Sequence, residues 1–163
     1  MEIDIQPAYG QQEAVRELLL EYTDLLLAQG TGDAVSCLRR QNFQGELENL
    51  TGKYGAPWGR LYLVRVDGVA AGCAAMQRLD RYRCELKRLY IRPAFRGQGL
   101  ARQLVERLLA EARDAAYEAM LLDTFPFLSQ AIRLYRDMGF YEIPRYNSFG
   151  RSLIYMRKDL QPA

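Results

Sequence analysis

The sequence predicts a mixed α/β fold: one central sheet, largely antiparallel, with helices on both faces. Three observations predict it. Helical periodicity runs through most of the first fifty residues, an antiparallel hairpin is signalled at Asp67-Gly68, and the second half alternates strand, helix, strand, helix, strand. The 163 residues suit one domain, and a single unit over 1–163 is expected.

Ile3 and Ile5 alternate with acids, the pattern of a short opening strand. Val15, Leu18, Leu19, Tyr22, Leu25 and Leu26 then recur at helical spacing, with Glu13, Glu17, Glu21 and Asp24 opposite. Gly30 and Gly32 stop that helix, and Asp33 is placed to cap a second one reaching about Leu50. Thr51 to Gly59 carries three glycines and Pro57 and reads as a loop. Leu61 to Val66 and Val69 to Leu79 read as the two hairpin strands, and Glu85 to Ile91 as a third, ended by Arg92-Pro93.

A long helix follows from about Gly99 to Asp114, with Leu100, Leu104, Val105, Leu108 and Ala112 as its buried stripe. Arg102–Glu106 and Arg107–Glu111 stand four apart on its outer face. Met120 to Asp123 reads as a buried strand and Leu128 to Met138 as a helix with Gly139 at its C-terminal cap. Phe140 to Ile143 and Leu153 to Met156 read as the last strands.

Composition narrows the chemistry. Charged residues are 26% and hydrophobic ones 49%, the balance of a folded domain. Twenty-two basic residues against 20 acidic ones leave +2, too weak to predict nucleic-acid binding. Arg78, Arg81, Arg83, Arg88 and Arg92 form the one arginine cluster, but strand alternation spreads them over both faces. There is no histidine, so neither a histidine base nor a histidine metal ligand is available. Cys37, Cys73 and Cys84 are odd in number and contain no CxxC pair. No disulfide framework and no zinc site is expected, and reduced thiols suggest a cytoplasmic protein. Met1 to Gly10 shows no basic stretch followed by an apolar run, and no apolar stretch approaches the roughly 20 residues of a membrane span, so neither export nor membrane association is expected.

The informative segment runs from Glu85 to Ala101, a strand leading through a glycine-bearing bend into the long helix. That helix lacks Ser, Thr, Asp or Asn at its start, so its first amide N–H groups have no side-chain cap. Gly97 and Gly99 leave the backbone uncovered, and Arg96 adds a charged donor. A helix N-terminus of this kind is a ready cradle for a pyrophosphate. No GxxxxGK[ST] loop is present, and Arg102 replaces the third glycine of a dinucleotide-binding GxGxxG. A tight strand-to-helix turn is the plain alternative.

Arg96, Gly99 and Ala101 meet the Arg/Gln-x-x-Gly-x-Gly/Ala pattern, and this segment resembles the acetyl-CoA signature of the GCN5-related N-acetyltransferase (GNAT) superfamily. A second block, Ala131-Ile132-Arg133-Leu134-Tyr135-Arg136-Asp137-Met138-Gly139-Phe140, is similar to the family's A-x-x-L-Y-x-x-x-G-F block and follows at the expected distance. The resemblance implies bound acetyl-CoA as co-substrate, no metal, and acetyl transfer to a primary amine by direct attack in a ternary complex. It assigns the pyrophosphate to the amides of Gly97, Gln98, Gly99, Leu100 and Ala101 beside Arg96. The pantetheine arm falls to the strand backbone at Leu89, Tyr90 and Ile91. It also implies that the parallel strands Glu85–Ile91 and Met120–Asp123 splay apart.

Side-chain roles follow from the same resemblance. Tyr135 is the candidate acid for the departing thiolate, since a phenol is protonated at neutral pH. A core tyrosine beside Leu128, Ala131 and Ile132 is the plain alternative. Glu85 is the candidate base, directly or through water; a carboxylate paired with Arg83 or Lys87 at the sheet surface is its alternative. The N–H of Leu89 is the candidate donor to the thioester carbonyl. A cysteine acyl-enzyme at Cys84 lacks a histidine to activate it. Asp123 ends its strand where it could bind an amine or cap the Pro126 turn. Leu128 departs from the family, which often places an asparagine there. Tyr9, Tyr22, Tyr54, Trp58, Tyr82, Tyr146 and Phe149 are candidates to line an acceptor cleft, and Thr51 to Gly59, with Lys53, is the candidate substrate-facing loop. The expected acceptor is a small-molecule amine or a peptide amino group; a homodimer is left open. A catalytically silent acyl-CoA-binding module is the competing class.

Overall fold

A computed structural model describes residues 1–29, 32–148 and 153–160. The chain runs β1 (Ile3–Pro7), α1 (Gln12–Gln29), α2 (Gly32–Arg40), α3 (Phe43–Glu48), α4 (Leu50–Tyr54), β2 (Arg60–Val66), β3 (Val69–Arg78) and β4 (Arg83–Ile91). A 3-10 turn (Pro93–Phe95) leads into α5 (Leu100–Asp114), β5 (Ala119–Thr124), α6 (Ser129–Asp137), β6 (Tyr141–Ile143) and β7 (Ile154–Asp159). Among the described residues the strands form one sheet of order β1-β2-β3-β4-β5-β7-β6. Every neighbouring pair is antiparallel except β4 and β5. The mixed, largely antiparallel sheet is as expected, and no described helix is long and apolar enough to cross a membrane.

Alternation along β2 sorts the core into two layers. Tyr62 and Val64 face α5 and pack with Leu104, Leu108, Met120 and Tyr135. Leu61 and Leu63 face the first four helices and pack with Leu18, Leu19, Leu50 and Tyr54. The stripe of α5 is fully buried, and each such leucine contributes about 1.5–3 kcal/mol. This anchors the helix whose first turn faces the site. On its outer face Arg107 stands 3.8 Å from Glu111. Glu111 binds more closely across the fold, to Arg60 at 3.0 Å and the Tyr62 hydroxyl at 2.6 Å.

Two expected elements are corrected. The single helix reaching Leu50 is two short ones, α2 and α3, and the first half of the expected loop is helical as α4. Asn42, with φ 54°, turns the chain left-handed between α2 and α3. Asn49 then starts α4, its side chain accepting from the Gly52 N–H. Asp33 as a helix cap, Gly30 as a stop and Phe149 as a cleft residue fall on side chains or residues outside those described.

Candidate active site

The parallel pairing of β4 with β5 ends at Glu85 opposite Leu121. Both strands continue, β4 to Ile91 and β5 to Thr124, without pairing further. The expected splay is therefore present, and part of the β4 backbone faces a gap in the sheet. On its other edge β4 carries a bulge: Tyr90 pairs with Cys73 and Lys87 with Ala75, so Arg88 and Leu89 share one position. Arg88 has φ 58°. The extra residue moves side chains to the other face: Leu86 packs against α5, whereas Tyr90 packs against the first four helices.

Just beyond β4 lies the start of α5. Its N-cap, Gly99, has φ 77° and makes no side-chain cap, as the sequence leads one to expect. Gly97 has φ 79°, and a Cβ built at either glycine meets nothing within 4 Å. The left-handed backbone favours glycine there, and the space beside it is open. Arg96 is steadied by a bond from its Nε to the Ile91 carbonyl, 3.0 Å.

A cleft of about 480 Å³ joins these parts. Leu89, Tyr90, Ile91, Arg96, Gly97, Gly99, Leu100 and Ala101 all line it, so the structure brings together nearly every residue assigned to the cofactor. Gln98 is exposed between the two glycines and is not part of the lining. The opposite wall is the first turn of α6, including Leu128, with Tyr22 and Leu25 of α1 above. This is a fit for a long, thin anion. Uncapped amides and an arginine lie at one end, unpaired strand backbone at the other.

The cleft abuts a smaller cavity of about 50 Å³ in the gap itself. Leu86 to Leu89 of β4, Leu122 to Thr124 of β5 with Phe125 just after it, and Tyr135 of α6 line it, with Cys37 and Leu38 of α2 and Gln41 just after it. Tyr135 is buried, its ring edge-on to Phe140 with centroids 5.7 Å apart. Burial first, and then the negative charge of Asp123 among its neighbours, raise its phenol well above the usual value. Its hydroxyl makes no hydrogen bond among the described residues. The core-tyrosine reading thus accounts for the ring, not for the hydroxyl.

Glu85 is buried, not at the sheet surface, and Arg83 pairs with Asp80 instead. Its carboxylate accepts from the Tyr146 hydroxyl at 2.6 Å and from Gln77 Nε2 at 2.7 Å, with Lys87 Nζ 3.7 Å away. Tyr146 comes from the segment between β6 and β7, and burial and the Glu85 charge raise its phenol strongly. Asp123 Oδ2 accepts from Asn147 Nδ2 at 2.8 Å; the alternative of a cap on the Pro126 turn finds no such bond. Neighbouring Gln41 accepts from Lys87 at 3.2 Å and from Arg88 at 2.6 Å. Gln41 and Asn147 carry no signal in the sequence, because each is ordinary in its local context and gains meaning only across the fold.

Other candidates move away. Cys84 points into the α5 core, and burial pushes its thiol up to about 12, so it is no thiolate nucleophile. Tyr54 is core and its carbonyl accepts from the Tyr9 hydroxyl. Trp58 and Tyr82 are exposed away from the cleft, and Arg78 covers Trp58 at 4.4 Å. The loop before β2 supplies no lining residue of either cavity; Lys53 binds Glu46 at 2.6 Å. Of the arginine cluster, Arg83, Arg88 and Arg92 pair with Asp80, Glu46 and Glu21. No cluster of three or more metal-ligating side chains occurs among the described residues.

Residues 11–140 match the family model described as Acetyltransferase (GNAT) family. An uncharacterised N-acetyltransferase of Schizosaccharomyces pombe is 37% identical over 123 residues, covering 74% of this chain and 76% of that protein. An acetyltransferase structure from Streptococcus agalactiae superposes with a TM-score of 0.80 at 20% identity, covering 97% of this chain and 98% of that one. A GNAT family acetyltransferase from Elizabethkingia anophelis, with acetyl-CoA bound, superposes at 0.67 and 19% identity, covering 97% and 98%.

Proposed function

The chain belongs to the GNAT family of acetyltransferases, and from that membership we propose that it moves the acetyl group of acetyl-CoA to a primary amine by direct attack in a ternary complex. The observation that carries this is the continuity of the cleft. Uncapped amides at Gly97 to Ala101 open directly onto the unpaired backbone of β4, and that onto the cavity holding Tyr135.

Acetyl-CoA, when bound, supplies a thioester whose carbonyl carbon is the electrophile. Arg96 and the α5 amides hold its diphosphate. Leu89 to Ile91 present N–H and C=O groups to the pantetheine amides, and the Leu89 N–H at the bulge polarises the acetyl carbonyl. As the amine nitrogen bonds that carbon, the carbon–sulfur bond breaks. Tyr135 gives its phenolic proton to the departing sulfur, and Glu85 takes a proton from nitrogen through water. Glu85 is suited to this as a buried carboxylate two residues before Lys87, which lines the cavity. A silent acyl-CoA-binding module would have no use for the unpartnered Tyr135 hydroxyl. The test is thiol release from acetyl-CoA with a panel of primary amines on the full chain. Amine-dependent release is expected; tight acetyl-CoA binding with no amine ever accelerating release would contradict the proposal.

A further inference from the structure

We propose that Asp123 receives the acceptor amine, holding its ammonium group at Oδ1. The inference rests on the acetyltransferase reading and deepens it.

Three carboxylates lie on the face of the sheet covered by the first helices: Glu46, Glu85 and Asp123. Glu46 meets Arg88 at 2.7 Å and Lys53 at 2.6 Å. Glu85 meets Lys87 at 3.7 Å and accepts two further hydrogen bonds. Asp123 meets no cation among the described residues. Oδ2 accepts from Asn147, and Oδ1 has no hydrogen bond among them. Asp123 is partly buried, and a carboxylate lining a cavity gains from a positive partner or a donor at its free oxygen. An ammonium group arriving through the gap supplies both.

Its position suits that role. Asp123 lies near the C-terminal end of β5, and it lines the small cavity opposite Leu89 and beside Tyr135. A nitrogen held at Oδ1 therefore stands within the cavity that also holds the proposed acid. Lys87 and Arg88 face the same cavity from β4, but their charges are matched by Glu85 and Glu46. The field of Asp123 also reaches Cys37, Tyr22 and Tyr135, where after burial it is a further cause of raised pKa values.

The test uses n-butylamine, with n-butanol as its uncharged isostere. In steady state, Asp123→Asn should raise the KM for n-butylamine at least tenfold and leave the KM for acetyl-CoA within twofold. Asp123→Glu should recover part of the loss. In binding titrations on the CoA-bound protein, n-butylammonium should outbind n-butanol at least tenfold in the wild type, a preference that Asp123→Asn abolishes. Acetylation without ammonium preference, or an unchanged amine KM in folded Asp123→Asn, overturns the inference alone. Ammonium preference without acetylation of any amine overturns the acetyltransferase reading and supports the Asp123 site. Absence of both overturns both. If Asp123→Asn fails to fold, the wild-type comparison of n-butylammonium with n-butanol decides.

Discussion

Glu46 grips Arg88 with both carboxylate oxygens, Nε to Oε2 at 2.7 Å and Nη2 to Oε1 at 2.9 Å, at the bulge on the β3 edge of β4. Arg88 has a left-handed backbone, which costs a non-glycine residue about 1–2 kcal/mol. The buried pair holds it there, with the guanidinium also over the Phe43 ring at 5.1 Å. Helix α3 thereby fixes the bulge whose next residue, Leu89, lines the cleft.

Glu46→Gln should lower stability by about 3 kcal/mol, the usual cost of breaking a buried pair from one side. Burial alone would raise the Glu46 carboxyl, but Arg88 and Lys53 outweigh it and hold it at about 2, against 4.5 ordinarily. The folded value lies below the unfolded one, so the carboxylate stabilises fully above pH 4.5 and this contribution is lost as pH falls through about 2. Urea unfolding of both proteins should show a gap at pH 7 that narrows below pH 4.5. A gap constant with pH would separate Glu46 from this role.

Gly99→Ala should act twice. The positive φ makes any side chain there costly, by about 1 kcal/mol. The added Cβ occupies open space beside the amides, so acetyl-CoA affinity should fall about tenfold, some 1.4 kcal/mol. Thermal unfolding and calorimetry measure the two effects separately; wild-type affinity in the folded variant would remove the glycine from the cradle.

Tyr135→Phe should keep the ring packing against Phe140 and lose only the hydroxyl. Turnover should drop about 10²-fold, the scale of one general acid, with acetyl-CoA affinity within twofold. Undiminished turnover would assign Tyr135 to the core alone.

Glu85→Gln should lower kcat/KM for the amine by about 10²-fold with acetyl-CoA affinity nearly unchanged. Tyr146→Phe removes the 2.6 Å bond that Glu85 accepts and should show a smaller loss of the same kind. Stopped-assay kinetics on both variants check this, and a loss confined to acetyl-CoA binding would contradict it.

Much of the architecture is legible in the sequence because its signals are local. Asp67-Gly68 marks the hairpin, with φ of 50° and 82° as the turn needs, and the stripe from Leu100 to Ala112 marks α5. The open, uncapped start of α5 is legible too, since missing caps and glycines are visible residue by residue. The breaks at Asn42 and Asn49 are not, because a left-handed turn at asparagine leaves the helical spacing of its neighbours intact. Nor is the bulge: nothing around Arg88 announces a positive φ, and what holds it, Glu46, lies 42 residues earlier. The polar contacts of Glu85 and Asp123 share this property. Tyr146 reaches Glu85 across 61 residues and Asn147 reaches Asp123 across 24.

The most direct measurement compares calorimetric titrations of acetyl-CoA and acetyl-pantetheine, which carries the same thioester and arm without the nucleotide diphosphate. If the amides opening α5 and Arg96 hold that diphosphate, acetyl-CoA should saturate the protein and acetyl-pantetheine should bind at least 100-fold more weakly. Equal affinities, or no saturable binding of acetyl-CoA to the folded chain, would contradict the account.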